Sequence, residues 1–179
     1  PILHIPTVLG AVVVTYNVPE LKKPLRLDGP TLAGIFLGDI TKWNDAHIAA
    51  LNPCAKLPAS DILVVHRSDG SGTSYVFTDY LSSVSSTWAT KPGKGKEVQW
   101  PVGLGGAQNA GVAGQITQLP VAVGYVELAF ARQNKLGFAE VKNKARKFIA
   151  PTNECVSKAS AGGEYGMSRY TYFRLFALH

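Results

Sequence analysis

Eight consecutive residues, Arg67-Ser68-Asp69-Gly70-Ser71-Gly72-Thr73-Ser74, place one guanidinium, one carboxylate, four hydroxyls and two glycines in a single short segment. Directly before it runs Ile62-Leu63-Val64-Val65-His66, a continuous apolar stretch of the kind found in a strand covered on both faces. Beyond it, Tyr75, Val76, Tyr80, Leu81 and Val84 recur at helical spacing. The polar segment is therefore expected where a buried strand turns into a helix. The first turn of a helix presents unpaired N–H groups and the positive end of the dipole, which suits an oxyanion. Arg67 offers a planar, two-pronged donor. Ser71 and Thr73 offer hydroxyls, and Gly70 and Gly72 allow close backbone approach and positive φ. Asp69 cannot itself grip a fully ionised anion and is better placed to orient Arg67. The same composition also fits a glycine-rich turn in which Ser71 or Thr73 does no more than cap the helix. Composition alone leaves both readings open.

Other chemistries find less support. No lysine follows the glycines as a P-loop requires, and Gly103-Leu104-Gly105-Gly106-Ala107-Gln108 lacks the third glycine of a dinucleotide-binding turn. His66 adjoins Arg67, but strand neighbours point to opposite faces, so a Ser71/His66 nucleophilic pair is not expected. There is no G-x-S-x-G elbow and no acid placed to orient His66. His4, His47 and His179 are scattered surface candidates. Trp43, Trp88 and Trp100 each lie beside apolar positions, which points to packing rather than ligand stacking. Asp39, Asp45 and Asp79 have no calcium or magnesium spacing, so neither a metal nor another cofactor is expected. Cys54 and Cys155 have no metal spacing either; they can pair in an oxidising compartment or stay as structural thiols.

The positions that must carry the segment read as an α/β chain. Ile2 to Val18 is extended, interrupted by Pro6 and closed by Asn17 and Pro19. Asp28-Gly29-Pro30-Thr31 opens a helix with Leu32, Ile35 and Phe36 on one face and Gly38 as its stop. A second short helix starts at Trp43-Asn44-Asp45, with Asn44 as its N-cap, and ends at Asn52 and Pro53. Thr90 to Val98 is a Lys/Gly-rich surface loop. Gly103 to Gly106 reads as a glycine turn ahead of a helix from Asn109 to Gln118. Val121 to Val126 is a further strand, and Glu127 to Lys135 a further helix. Pro151 to Gly166 is a small, polar linker, and Tyr170 to Leu178 a closing strand. Strands alternating with helices imply a mixed or parallel sheet.

Composition and charge set outer bounds. The 179 residues are 46% apolar and 17% charged, an ordinary globular balance with enough chain for one good core. The net charge of +6 suits an anionic partner. The basic residues are dispersed, however, and the densest run, Lys142, Lys144, Arg146 and Lys147, has no accompanying aromatic-plus-basic motif. A solvated face is expected there and no nucleic acid. The longest apolar stretch, Leu9 to Val18, is broken by Gly10, Thr15, Tyr16 and Asn17 and falls short of the roughly 20 residues of a membrane-spanning helix. Pro1 opens the sequence without a signal-like pattern, which leaves targeting unread.

At this point the residues carry a resemblance. Arg67 followed by Asp69-Gly70-Ser71-Gly72-Thr73-Ser74 resembles the phosphate loop of the substrate-binding proteins of phosphate-specific ABC transport. Leu27-Asp28-Gly29-Pro30-Thr31-Leu32, Ile35-Phe36-Leu37-Gly38 and Lys42-Trp43-Asn44-Asp45 resemble the same family's segment ahead of that loop. Trp100-Pro101-Val102-Gly103-Leu104-Gly105-Gly106 and Gly124-Tyr125-Val126-Glu127 are similar to its later landmarks. The resemblance runs nearly continuously from about Ile5 to Pro151. It implies a periplasmic-binding-protein type II-like fold, two α/β lobes joined by crossing strands, of which this chain would be the second. Residues 1–18 would be the crossing strand from the first lobe, 19–150 the phosphate-binding lobe, and 151–179 the linker and return strand.

By position, the resemblance implies that Arg67, Ser71, Gly72 and Thr73 contact phosphate and that Asp69 holds Arg67. The family's proton-accepting Asp belongs to the first lobe, ahead of Pro1. A non-enzymatic phosphate receptor is the implied function, with inorganic phosphate as ligand, an ABC permease as partner, and a periplasmic or extracellular location. A phosphoester hydrolase using the same oxyanion site, or a truncated interaction module, are the alternatives.

Overall fold

A computed structural model describes residues 10–152, 154 and 155 of the chain. The expected extension over residues 2–9, the polar linker beyond residue 155, the closing strand over 170–178, and His4 and His179 lie outside the described residues.

Along the chain run β1 (Val12–Asn17), β2 (Arg26–Leu27), α1 (Gly29–Leu37), α2 (Ala46–Leu51), β3 (Leu63–Arg67), α3 (Gly72–Val84) and α4 (Ser86–Thr90). There follow β4 (Leu104–Gly106), α5 (Gln108–Gln118), β5 (Ala122–Glu127), α6 (Leu128–Gln133), β6 (Gly137–Phe138), β7 (Glu140–Lys142) and β8 (Phe148–Ile149). The main sheet has five strands in the order β4-β3-β5-β1-β6. β3 is parallel to both β4 and β5, and β1 is antiparallel to β5 and β6, so the sheet is mixed, as the alternation of elements implied.

Two apolar cores lie against this sheet, and strand alternation sorts residues between them. Val12, Val14 and Tyr16 of β1, Val64 of β3, and Val123 and Tyr125 of β5 join one core with Phe36 of α1 and Phe77 and Leu81 of α3. Val13, Val65, Ala122 and Val126 join the other, with Val112 and Ile116 of α5 and Ala131 of α6. The continuous apolar run of β3 is thus explained, because both of its faces are covered.

Side-chain caps account for most of the helix starts. Asp28 caps α1 by accepting from the Thr31 N–H at 3.0 Å, and Gly38 closes it with φ of +82°. The cap of α2 is a correction to the sequence reading. Asp45, not Asn44, is the N-cap, and its Oδ1 accepts from the His47 N–H at 2.9 Å. The glycines at 103–106 are a second correction, because Leu104–Gly106 forms an edge strand rather than only a turn. Gly106 is where α5 meets that strand: a Cβ there would lie 2.8 Å from the Val112 nitrogen and 2.9 Å from the Gly111 carbonyl carbon.

Residues 137–149 carry three strands the sequence does not announce, each two or three residues long. β7 and β8 form a hairpin beside β2 in a separate three-stranded sheet. Lys144, Arg146 and Lys147 are exposed on its tip, in agreement with a solvated basic run. No helix among the described residues is long and apolar enough to cross a membrane.

Candidate anion site

Arg67 ends β3, and α3 begins five residues later at Gly72. The three mutually parallel strands finish on one edge, with Arg67 ending β3, Gly106 ending β4 and Glu127 ending β5. The chain leaves β3 through α3 to reach β4 on one side and returns through α5 to β5 on the other. A crevice at the carboxyl ends of strands, where strand order reverses, is the usual ligand position in open α/β sheets.

Arg67 is held on several sides. Its side chain is only 8% exposed, so the guanidinium needs partners. Nε donates to Asp69 Oδ1 at 2.8 Å and Nη2 donates to Asp69 Oδ2, a two-pronged pair that leaves Nη1 out. The hydrogen-bonded carboxylate raises the Arg67 pKa against the opposing effect of burial. Reciprocally, Arg67 holds the Asp69 carboxyl at about 2, well below the usual carboxylate range. Asp69 Oδ1 also accepts from the Gln108 N–H at 2.9 Å. That bond serves the first turn of α5, which has no side-chain cap of its own at Ala107.

Ser71 is the N-cap of α3, and its Oγ accepts from the Ser74 N–H at 3.2 Å. The capping alternative is therefore realised by Ser71, while its own hydroxyl hydrogen stays available to donate. Helix geometry leaves the Gly72 and Thr73 N–H groups without intrahelical acceptors. Neither Gly70 nor Gly72 uses the positive φ that its type allows. The loop is extended at Ser71, with φ of −145°, and enters the helix without a left-handed residue.

Residues the sequence reading did not assign complete the cluster. The Thr73 hydroxyl donates to Glu127 Oε1 at 3.2 Å, joining the first turn of α3 to the end of β5. The Tyr125 hydroxyl accepts from the Arg67 N–H at 3.2 Å and lies 2.7 Å from Ser74 Oγ. Burial pushes the Tyr125 phenol up to about 12, so it remains a neutral hydroxyl. Two-residue periodicity puts Tyr125 and Glu127 on one face of β5, a signal present in the sequence. The Gln108 contact has no such signal, because it comes from a backbone group.

The arrangement offers N–H and O–H donors beside a fixed cation, which suits an oxyanion. His66 stacks on Trp100 with ring centroids 4.8 Å apart and planes 10° from parallel, and its Nδ1 lies 3.0 Å from the Arg67 carbonyl oxygen. Trp43 and Trp88 are fully buried, as packing residues should be. No group of three or more His, Cys, Asp or Glu side chains among the described residues could hold a metal ion. Cys54 is an exposed free thiol, and Cys155 a half-buried one. A hollow of about 400 Å³ lies away from this cluster, between the start of α1, the end of α3 and the basic hairpin.

Residues 1–175 match the family model described as the PBP superfamily domain. The chain is 45% identical over 165 residues to the phosphate-binding protein PstS of Haemophilus influenzae, covering 92% of this chain and 49% of that protein. It is 47% identical over 165 residues to the protein of the same name from Pasteurella multocida, covering 92% of this chain and 48% of that one. The chain thus spans about half the length of the curated relatives it matches. Among solved structures, PstS from Borrelia burgdorferi superposes with a TM-score of 0.60 at 20% identity, over 84% of this chain and 53% of that one. That likeness concerns the fold, a mixed α/β lobe.

Proposed function

Because this chain belongs to the family of the PBP superfamily domain, we propose that it is the phosphate-gripping lobe of the substrate-binding component of an ABC phosphate importer. The observation that carries the reading is the pairing of Arg67 with Asp69 at the entry to α3. A buried guanidinium fixed by one carboxylate keeps its remaining N–H groups aimed without an entropic cost at the moment of binding. Arg67, the Ser71 hydroxyl, the Gly72 and Thr73 first turn and the Thr73 side chain are the contacts. Asp69 orients Arg67 and does not touch the anion.

Residues 19–150 form the binding lobe in this reading, and 1–18 and 151–179 are the segments that cross to a first lobe. β1 contributes a strand to this lobe's sheet on its way. The partner is an ABC permease, reached from the periplasm or the cell exterior. The name phosphate-binding protein, carried by relatives 45% and 47% identical, supports a receptor rather than an enzyme. Equilibrium dialysis against labelled inorganic phosphate tests this. Retention of phosphate that weakens in Ser71→Ala is expected. Turnover of a chromogenic phosphoester that vanishes in the same variant would instead establish a hydrolase.

A further inference from the structure

We propose that residues 93–96 act as a strap that positions Ser71 for the anion, with the buried Thr78 hydroxyl as its anchor, an inference that rests on the phosphate reading above. This Lys/Gly-rich segment is a loop, yet each of its four residues is tied down along α3 and α4. The Gly93 N–H donates to the Trp88 carbonyl oxygen at 2.8 Å, and Trp88 Nε1 donates to the Gly93 carbonyl oxygen at 2.8 Å. Lys94 Nζ donates to Asp79 Oδ1 at 3.1 Å, on a carboxylate side chain only 9% exposed. The Gly95 N–H donates to Thr78 Oγ1 at 3.1 Å, and the Gly95 carbonyl oxygen lies 3.0 Å from the same hydroxyl. Lys96 then accepts the Ser71 N–H on its carbonyl oxygen at 2.9 Å.

Ser71 is the residue most in need of such a hold. As the N-cap of α3 it has extended backbone, so no intrahelical bond fixes its N–H. The Lys96 carbonyl takes that N–H and makes the cap a fixed point between strap and helix. The bond also commits the Ser71 N–H to the protein, so the backbone donors left for the anion are those of Gly72 and Thr73. Thr78 lies on the second turn of α3 and is fully buried, where a lost partner is costly. Its one hydroxyl hydrogen is within reach of the Gly95 carbonyl and of the Ser74 carbonyl, the latter at 2.8 Å. The hydroxyl thus joins the strap to the first turn of the helix that receives the anion. The glycines fit this close-lying path. Gly93 takes φ of +69°, and a Cβ at Gly95 would stand 2.8 Å from the Glu97 carbonyl oxygen. Thr78 acts through Lys96 and Ser71 and is a positioning residue.

The test joins calorimetric titration with inorganic phosphate to amide hydrogen exchange, on the wild type, Thr78→Val and Thr78→Ser. Thr78→Val keeps the shape and removes the acceptor of the Gly95 N–H. It is expected to weaken phosphate binding about fivefold and to speed exchange at the Ser71 amide about tenfold. Thr78→Ser keeps the hydroxyl and is expected to retain both wild-type values. Coupling is reciprocal, so phosphate added to the wild type should slow exchange at the Gly95 amide, which lies outside the anion contacts. Ile48→Val, a core change in α2, should lower stability and leave phosphate affinity alone. A matching loss of affinity in Ile48→Val would overturn the inference, because binding would then merely follow stability. Weakened binding in Thr78→Val with Ser71 exchange unchanged would overturn it too. Should Thr78→Val fail to fold, Gly95→Ala, which displaces the strap itself, decides by the same two readouts. A wild type that binds no phosphate removes the phosphate reading and this inference with it. Equal binding by the wild type and Thr78→Val removes this inference alone.

Discussion

Asp69 and Gln108 are joined by a 2.9 Å hydrogen bond from the Gln108 N–H to the same carboxylate oxygen that receives Arg67 Nε. One carboxylate therefore fixes the cation at the end of β3 and the first turn of α5 together. A change at Asp69 is expected to act on both.

Asp69→Asn keeps the shape and replaces one acceptor oxygen with a donor. A charge-assisted hydrogen bond contributes about 1.5–3 kcal/mol. Because the Asp69 side chain is 38% exposed, water offsets part of this, and a stability loss of about 1–2 kcal/mol by urea denaturation is expected. The pH dependence follows from the depressed Asp69 pKa, about 2 against an ordinary 3.8. The unfolded state takes up the proton first as pH falls. The pair's contribution is complete above about pH 4 and is lost as pH falls through about 2. Asp45 is also held low, by hydrogen bonds from His47, and contributes acid sensitivity of its own. The difference between wild-type and Asp69→Asn stability should therefore shrink across that window. A difference that stays constant from pH 5 to 2 would contradict the pairing.

Tyr125→Phe removes one oxygen from the core and leaves the Arg67 N–H and Ser74 Oγ without it. A buried donor stripped of its partner costs about 1–3 kcal/mol. The expected result is a lowered thermal midpoint together with faster hydrogen exchange at the Arg67 amide. An unchanged midpoint would mean that water replaces the hydroxyl.

Gly106→Ala introduces a Cβ against the Gly111 and Val112 backbone, where nothing flexible can yield. Overpacking of this kind costs about 1–3 kcal/mol. It should also push the start of α5 away from β4 and loosen the Gln108 contact to Asp69. Amide chemical shifts at Gln108 and Asp69 that move together would establish the link. Destabilisation with both shifts unchanged would show that α5 adjusts without passing the strain on.

What the sequence discloses about this lobe depends on how local the causes are. β3 announces itself by four apolar residues in a row, Ile62 to Val65, and α1 by Asp28, Pro30 and Gly38, all of which act within their own turn. The Arg67–Asp69 pair is legible for the same reason, being two residues apart. Glu127 meets Thr73 from 54 residues away, and only the assembled sheet brings the ends of β3 and β5 to one edge. The choice between Asn44 and Asp45 as a cap turns on backbone angles that composition does not encode. The glycines at 103–106 read as a turn because glycine is a poor strand former; here the missing side chains are what let α5 lie against β4. Strands of two or three residues such as β6 and β8 are too short to show a period and exist by virtue of their neighbours.

The most direct test of the phosphate assignment is a calorimetric titration of the chain with inorganic phosphate, compared with Arg67→Ala and Lys144→Ala. Lys144 sits on the exposed hairpin tip and shares only the net positive charge. If the anion is gripped at the entry to α3, Arg67→Ala loses charge-assisted bonds of about 1.5–3 kcal/mol each, a weakening of roughly tenfold or more. Lys144→Ala should then change binding only slightly, and less at higher salt. Equal losses from the two substitutions would contradict the account, because binding would then follow the diffuse charge of the lobe and owe nothing to the Arg67 site.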